Sequence, residues 1–318
     1  MLKGLFARPG RPPEAFTSAG RIPELLRERD VCLWADFESP TEEERRVMET
    51  AFGFHPVALE SCWAHANHPR LQDYGDYLYL VLHAVRSVRP LKTDEIDVFL
   101  GRSFLVTCHD GPSAALAEVQ RRAQEVEGLL RRGPDRALAE LVDRITEDYV
   151  EAIERLDDAM DGLEDRLFRS PGRAALREVL SFKKDVLHFR RIVGPQREVL
   201  GRLARMEFPQ VSREEAVYLR DVHDRTVRVA EMLEAFRDVL TSAMEVYLSV
   251  VSNRINEVVR TLTVFSIILM STSLVAGIYG MNVDLLKTGT KADFYLLLGV
   301  MGAIAGALLW VFRRRAWI

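Results

Sequence analysis

From Thr261 to Val283 the chain carries no charged residue. At about 1.5 Å per residue, a helix of that length just spans the ~30 Å hydrocarbon core of a bilayer. A second uncharged run covers residues 294–312 and stops at Arg313, Arg314 and Arg315. Two such runs joined by a short loop make a hairpin through a membrane. Removing it leaves roughly 260 residues, enough for one large or two ordinary soluble domains.

The first run is not built as a plain anchor. It contains Thr261, Thr263, Ser266, Ser271, Thr272, Ser273 and Gly277. Asn256, Val259, Leu262, Thr263, Ser266, Met270, Ser273 and Gly277 recur every three or four residues, the period of one helix face. A stripe of small and hydroxyl residues serves close helix packing in lipid, or it lines a water-filled pore shared by several copies. Spacing alone leaves both open.

The run closes with Ala276-Gly277-Ile278-Tyr279-Gly280-Met281-Asn282, 36 residues before the last residue. The GMN tripeptide at the end of the first of two C-terminal spans, followed by a basic tail, resembles the signature of the CorA family of divalent-cation channels. The segments HPVALES at 55–61, YGDYLYLVLH at 74–83 and VFLGRSFLVTCH at 98–109 are similar to the CorA cytoplasmic domain. The resemblance implies an α+β membrane protein with an N-terminal cytoplasmic α/β domain, a long helical stalk and two C-terminal transmembrane helices, assembled as a funnel-shaped homopentamer. It implies a transport protein, not an enzyme, that passes Mg²⁺ into the cytoplasm down the membrane potential, with Co²⁺ and Ni²⁺ as further cargo. Intracellular Mg²⁺ bound between cytoplasmic domains would close it. A ZntB-like, proton-coupled Zn²⁺ transporter is the alternative, and a membrane-anchored structural or signalling protein a more distant one.

Residue roles carry over on the matching positions. Gly280, Met281 and Asn282 are expected at the outer mouth as the selectivity element. The stripe from Asn256 to Gly277 is expected to line the pore, with Leu262 and Met270 as apolar necks and Asn256 as the polar ring at the inner end. Counting back from Asn282 without gaps puts the regulatory metal acids at Asp221, with Asp224 one turn on. Arg313, Arg314 and Arg315 form a basic ring near the membrane. The chain departs from the family in having Ser271 where Pro commonly follows the Met, Ser61 where an acid is frequent, and Val283-Asp284-Leu285-Leu286-Lys287 after the signature. In that loop Lys287 and Lys291 nearly cancel Asp284 and Asp293. No cofactor other than the transported and regulatory Mg²⁺ is implied; the partners are further copies of the chain, the lipid bilayer and divalent cations.

Charge and cysteine usage agree with this reading. Net charge is −4, without the global basic bias that nucleic acid selects. Cys32, Cys62 and Cys108 are few, odd in number and far apart, which suits a reducing compartment. Residues 1–20 lack the apolar core of a signal peptide. By the positive-inside rule the arginine tail, with Arg254 and Arg260 at the start of the first run, belongs in the cytoplasm. Both termini are then inside, the loop outside, and the location is the cell inner membrane.

Along the chain, residues 1–30 read as irregular because of Pro9, Pro12 and Pro13. Strands are expected at 31–36, 77–83, 95–100 and 103–109, the last two joined by a tight turn at Gly101-Arg102. Helices are expected from Thr41, whose side chain can cap, and over 114–132. The α/β domain covers 1–133. A helical hairpin follows over 134–208, first a long acidic amphipathic helix and then one from Arg173 to about Met206 with a kink at Gly194-Pro195. Ser212-Arg213-Glu214-Glu215 reads as a capping box. No Pro or Gly then intervenes until Gly277, so one helix is expected from Arg213 to Tyr279: a stalk over 212–257 running into a span over 258–280. The external loop is 281–293, the second span 294–312 and the tail 313–318. Cys62, His65 and His68 have metal-ligand chemistry, but their spacing matches no zinc pattern. No phosphate-binding G-x-x-x-x-G-K-[ST] loop is present.

Overall fold

The apolar segments expected as strands form the middle of one seven-stranded sheet. The computed structural model describes residues 1–28, 30–64, 68–125, 128–169, 172–281, 291–315 and 317. The strands are β1 (Leu2–Ala7), β2 (Glu14–Phe16), β3 (Cys32–Glu38), β4 (Arg70–Asp73), β5 (Tyr77–Val88), β6 (Leu91–Gly101) and β7 (Phe104–His109). Their order is β2-β1-β3-β7-β6-β5-β4, and among the described residues only the β3–β7 pair is parallel. The turn between β6 and β7 is tight but falls one residue later than expected, at Arg102-Ser103, with Leu100 opposite Leu105.

Both faces of this sheet are covered, which explains why β5 reads as a nearly unbroken apolar run. One face carries Leu33, Ala35, Phe37, Tyr79, Val81, Phe99, Val106 and Cys108. It packs with residues of the short helices α1 (Ile22–Leu25), α2 (Glu42–Thr50) and α3 (Pro56–Ala64). α2 has a complete capping box: the Glu44 amide donates to Thr41 Oγ1 at 3.3 Å and the Thr41 amide to Glu44 Oε2 at 2.8 Å. The opposite face meets α5 (Pro134–Arg169) and α6 (Arg173–Ala204). Buried polar links fix them there. Tyr149 Oη donates to the His83 carbonyl at 2.5 Å, and the His83 amide donates to Gln196 Oε1 at 2.9 Å.

Several expectations are corrected. Residues 1–30 are not irregular throughout. β1 pairs with β3 along its whole length, and β2 closes on β1. Gly4 makes this possible, since a Cβ there would lie 2.2 Å from the Phe16 ring. The helix expected over 114–132 is α4 (Ala114–Glu125) followed by a separate 3₁₀ turn at Leu130–Arg132, and Gly128 between them has φ 115°. α6, as expected, is one helix that contains Pro195, and it ends at Ala204. The capping box at Ser212 is half formed. The Glu215 amide donates to Ser212 Oγ at 3.4 Å, but the Glu215 carboxylate is held by Arg136 at 3.1 Å and Arg132 at 3.3 Å. The Ser212 amide donates instead to Asp135 Oδ2 at 2.9 Å. An ion pair with two guanidiniums outbids a single neutral amide for the same carboxylate.

The last two helices are α7 (Arg213–Tyr279), with 67 residues, and α8 (Lys291–Arg314). The apolar stripe of α7 from Val222 through Thr226, Val229, Leu233 and Phe236 to Leu240 is buried, as its near-heptad spacing requires. Two compact units result, Met1–Ser242 and Ala243–Ile318.

Candidate ion pathway and its regulatory acids

Both C-terminal helices are long and apolar enough to cross a membrane. Within the second unit, each has one covered side. On α7 the less exposed positions are Val264, Ile267, Ile268, Ser271, Thr272 and Val275; on α8 they are Leu297, Met301, Ile304, Ala305, Leu308 and Phe312. Both sets repeat every three or four residues, the signature of one packed face. Val264 is only 2% exposed.

The polar stripe lies elsewhere on α7. Asn256, Val259, Leu262, Ser266, Met270, Ser273 and Gly277 are all exposed, Leu262 to 65% and Met270 to 70%. At about 100° per residue, this stripe centres roughly 150° round the helix from the covered face. Thr263 sits at its edge and is half-buried. Its hydroxyl donates to the Val259 carbonyl at 2.7 Å, as those of Ser271 and Thr272 do to Ile267 and Ile268 at 2.8 and 3.0 Å. These hydroxyls satisfy themselves on their own helix and need no partner across an interface. The helix ends at Tyr279, and the Gly280 amide still donates to the Ala276 carbonyl at 2.9 Å. Met281 follows, 60% exposed. Asn282 and the loop to residue 290 lie outside the described residues. At the other end of α8, Arg313, Arg314 and Arg315 are exposed, and the Arg314 guanidinium lies 5.3 Å over the Trp310 ring.

The expected regulatory acids are on the part of α7 that belongs to the first unit. Asp221 is well exposed, with Oδ2 3.2 Å from Arg225 Nε one turn on. Asp224 is also exposed and lies 3.2 Å from His223 Nδ1. Among the described residues, no group of three or more His, Cys, Asp or Glu side chains could hold a metal within one chain. Cys62 is buried in the core, where its thiol is pushed well up by the Cys108 thiol beside it and by burial. His68 is exposed and His65 lies outside the described residues.

A model of the family described as "CorA-like Mg2+ transporter protein" matches residues 29–314. The chain belongs to the CorA family. Over 283 residues it is 30% identical to the cobalt/magnesium transport protein CorA of Thermotoga maritima, across 87% of this chain and 80% of that one. Its fold matches the complete structure of the CorA magnesium transporter from Methanocaldococcus jannaschii with a TM-score of 0.84 at 22% identity, covering 99% and 98% of the two chains. It matches the full-length CmaX protein with a TM-score of 0.80 at 21% identity, covering 99% and 97%. The chain is thus a CorA-type metal-ion transporter with the CorA fold.

Sequence reasoning marks the stripe and the acids as candidates but does not reach what stands behind Asp221. Arg225 reaches inward from α7 and donates through Nη2 to Asp143 on α5, which also accepts from the Tyr218 hydroxyl. Burial, then hydrogen bonding to Asp143, pushes the Tyr218 phenol well up. The i,i+4 spacing of Asp221 and Arg225 was visible. The third member, 82 residues away from Arg225, was not.

Proposed function

We propose that the protein is a homopentameric channel that admits Mg²⁺ to the cytoplasm down the membrane potential and closes when internal Mg²⁺ binds between cytoplasmic domains. One observation carries this reading. The stripe of Asn256, Ser266, Ser273 and Gly277 is exposed and lies on the side of α7 away from its covered face, so it is free to line an axis shared by several copies. Two spans cannot enclose a pore by themselves, so the stripe has a use only in an oligomer. The basic tail at Arg313, Arg314 and Arg315 favours an inner-membrane orientation with both termini in the cytoplasm. The functional division runs as in the sequence: a cytoplasmic α/β domain, a helical hairpin, a stalk, two spans and an external loop carrying the signature.

The chemistry suits a hydrated ion. Mg²⁺ gives up water reluctantly, so a ring of neutral Asn282 amides can accept hydrogen bonds from its waters without stripping them. Met270 and Leu262, repeated around an axis, make apolar necks that close by dewetting. No energy-coupling site is needed. Two charges gain about 4.6 kcal/mol per 100 mV of membrane potential. The same pathway would take Co²⁺ and Ni²⁺, ions of similar charge and hydration.

The test is ion uptake into liposomes holding the purified full chain. Potential-driven Mg²⁺ entry, lost in Asn282→Ala, is expected. Zn²⁺ entry that follows an imposed pH gradient would move the protein to proton-coupled zinc transport. Absence of flux for either ion, or a stable monomer in mild detergent, would leave the hairpin as an anchor.

A further inference from the structure

Asp221 does not wait for a cation with its charge open. Among the described residues its ion-pair partner is Arg225, with Nε 3.2 Å from Oδ2. The Asp221 side chain is 73% exposed, whereas that of Arg225 is 23% exposed. The guanidinium is fixed from behind. Nη2 donates to Asp143 Oδ1, and Asp143 in turn accepts from the Tyr218 hydroxyl. The Arg136 guanidinium, 4.6 Å over the Tyr218 ring, packs the same cluster. An arginine guanidinium stays charged in proteins, so this contact never loses its positive partner. One permanent positive charge is therefore shared between a buried carboxylate on α5 and an exposed one on α7.

We propose that Arg225 is the internal competitor that sets how much Mg²⁺ is needed to occupy Asp221. The idea rests on Asp221 being the regulatory ligand. A divalent ion approaching Asp221 meets a fixed cation whose Nε lies 3.2 Å from the oxygen it must bind, a charge contact without hydrogen-bond geometry. Arg225 cannot swing away with its rotamers free, because Asp143 holds its far end. Occupying Asp221 therefore costs the ion both the lost Arg225–Asp221 contact and repulsion from the guanidinium. Without Arg225 the site would fill at lower Mg²⁺. With Arg225 released from Asp143, its charge would be given wholly to Asp221, and the site would fill at higher Mg²⁺. The two perturbations act in opposite directions, which general loosening of the helices would not do.

The experiment titrates the full-length protein in detergent or nanodiscs with Mg²⁺. It reads protection of the cytoplasmic helices from a protease, with flux inhibition in liposomes as a second readout. In Arg225→Gln the Mg²⁺ midpoint should fall about tenfold, the scale of one nearby charge at a partly exposed site. In Asp143→Asn, which keeps an acceptor for Tyr218, the midpoint should rise several-fold. Arg225→Lys should stay near the wild-type midpoint and guards against loss of folding in the glutamine variant. If Asp221→Asn shifts the midpoint but neither Arg225→Gln nor Asp143→Asn does, the competitor role is wrong and the regulatory assignment survives. If Asp221→Asn leaves the midpoint unchanged, the regulatory assignment falls and this inference falls with it.

Discussion

Asp97 offers a stability prediction whose size follows from its surroundings. It sits on β6 with 1% of its surface exposed, and Tyr79 Oη donates to Oδ1 at 2.5 Å. Burial pushes its carboxyl up from 3.8 to about 8, against the pull of the Tyr79 hydrogen bond and the Arg70 charge; Glu95 pushes it further up. Folding therefore takes up a proton at neutral pH. A group raised in the folded state contributes its full stability below pH 3.8, and that contribution is lost as pH climbs from there through 8. The total loss is on the order of 5 kcal/mol, of which about 2–3 kcal/mol falls between pH 6 and 8. Asn keeps an acceptor for Tyr79 and cannot ionise. We expect Tm of Asp97→Asn minus Tm of the wild type to grow by about 3–6 °C between pH 6 and 8. His109, whose pKa Asp36 holds above the usual value in spite of burial, also loses stability as pH rises. It does so equally in both proteins and cancels in the difference. Thermal unfolding of the full chain in detergent, followed at five pH values, gives that difference directly. A difference independent of pH would refute the neutral buried carboxyl.

Two further variants test how the first unit is held together. Tyr149→Phe removes the 2.5 Å hydrogen bond to the His83 carbonyl at a fully buried position and should cost about 1–3 kcal/mol by urea unfolding. An unchanged midpoint would mean that α5 is fixed to β5 by apolar contact alone. Gly4→Ala places a Cβ where the Phe16 ring lies 2.2 Å away, so it should destabilise by about 1–3 kcal/mol and expose β2 to proteolysis before the rest of the unit.

Much of this fold was legible because its signals are local. The uncharged run from Thr261, the leucine steps of α5 and the absence of Pro and Gly from α7 before Gly277 each constrain one stretch at a time. β5 and β7 were visible because strands covered on both faces are apolar throughout. β1, β2 and β4 were not. β2 and β4 are three and four residues long. β1 stands just before Pro9, and its pairing with β3 across some thirty residues leaves no local trace. The buried polar groups escaped for the same reason. Asp36 is explained by Thr107 and His109, Asp97 by Tyr79, and Asp143 by Arg225, all far away in sequence. The candidate pathway was readable because a helix face has a period of its own. That the stripe lies opposite the covered face of α7 required the burial of each residue along the helix. The role of Arg225 required a hydrogen bond that no spacing encodes.

The central claim is that the stripe of α7 meets water while the opposite face meets protein. It is tested most directly by single cysteines at Ser266 and Ser273 on the stripe and at Thr272 on the covered face. Each variant is reconstituted in liposomes, and Mg²⁺ uptake is measured before and after a small water-soluble thiol reagent. The native Cys62 and Cys108 are buried, and the wild type controls for Cys32. We expect uptake to be blocked in Ser266→Cys and Ser273→Cys and unaffected in Thr272→Cys and the wild type. Block at Thr272→Cys with none at Ser266→Cys and Ser273→Cys would put the water on the other side of the helix and contradict the pathway.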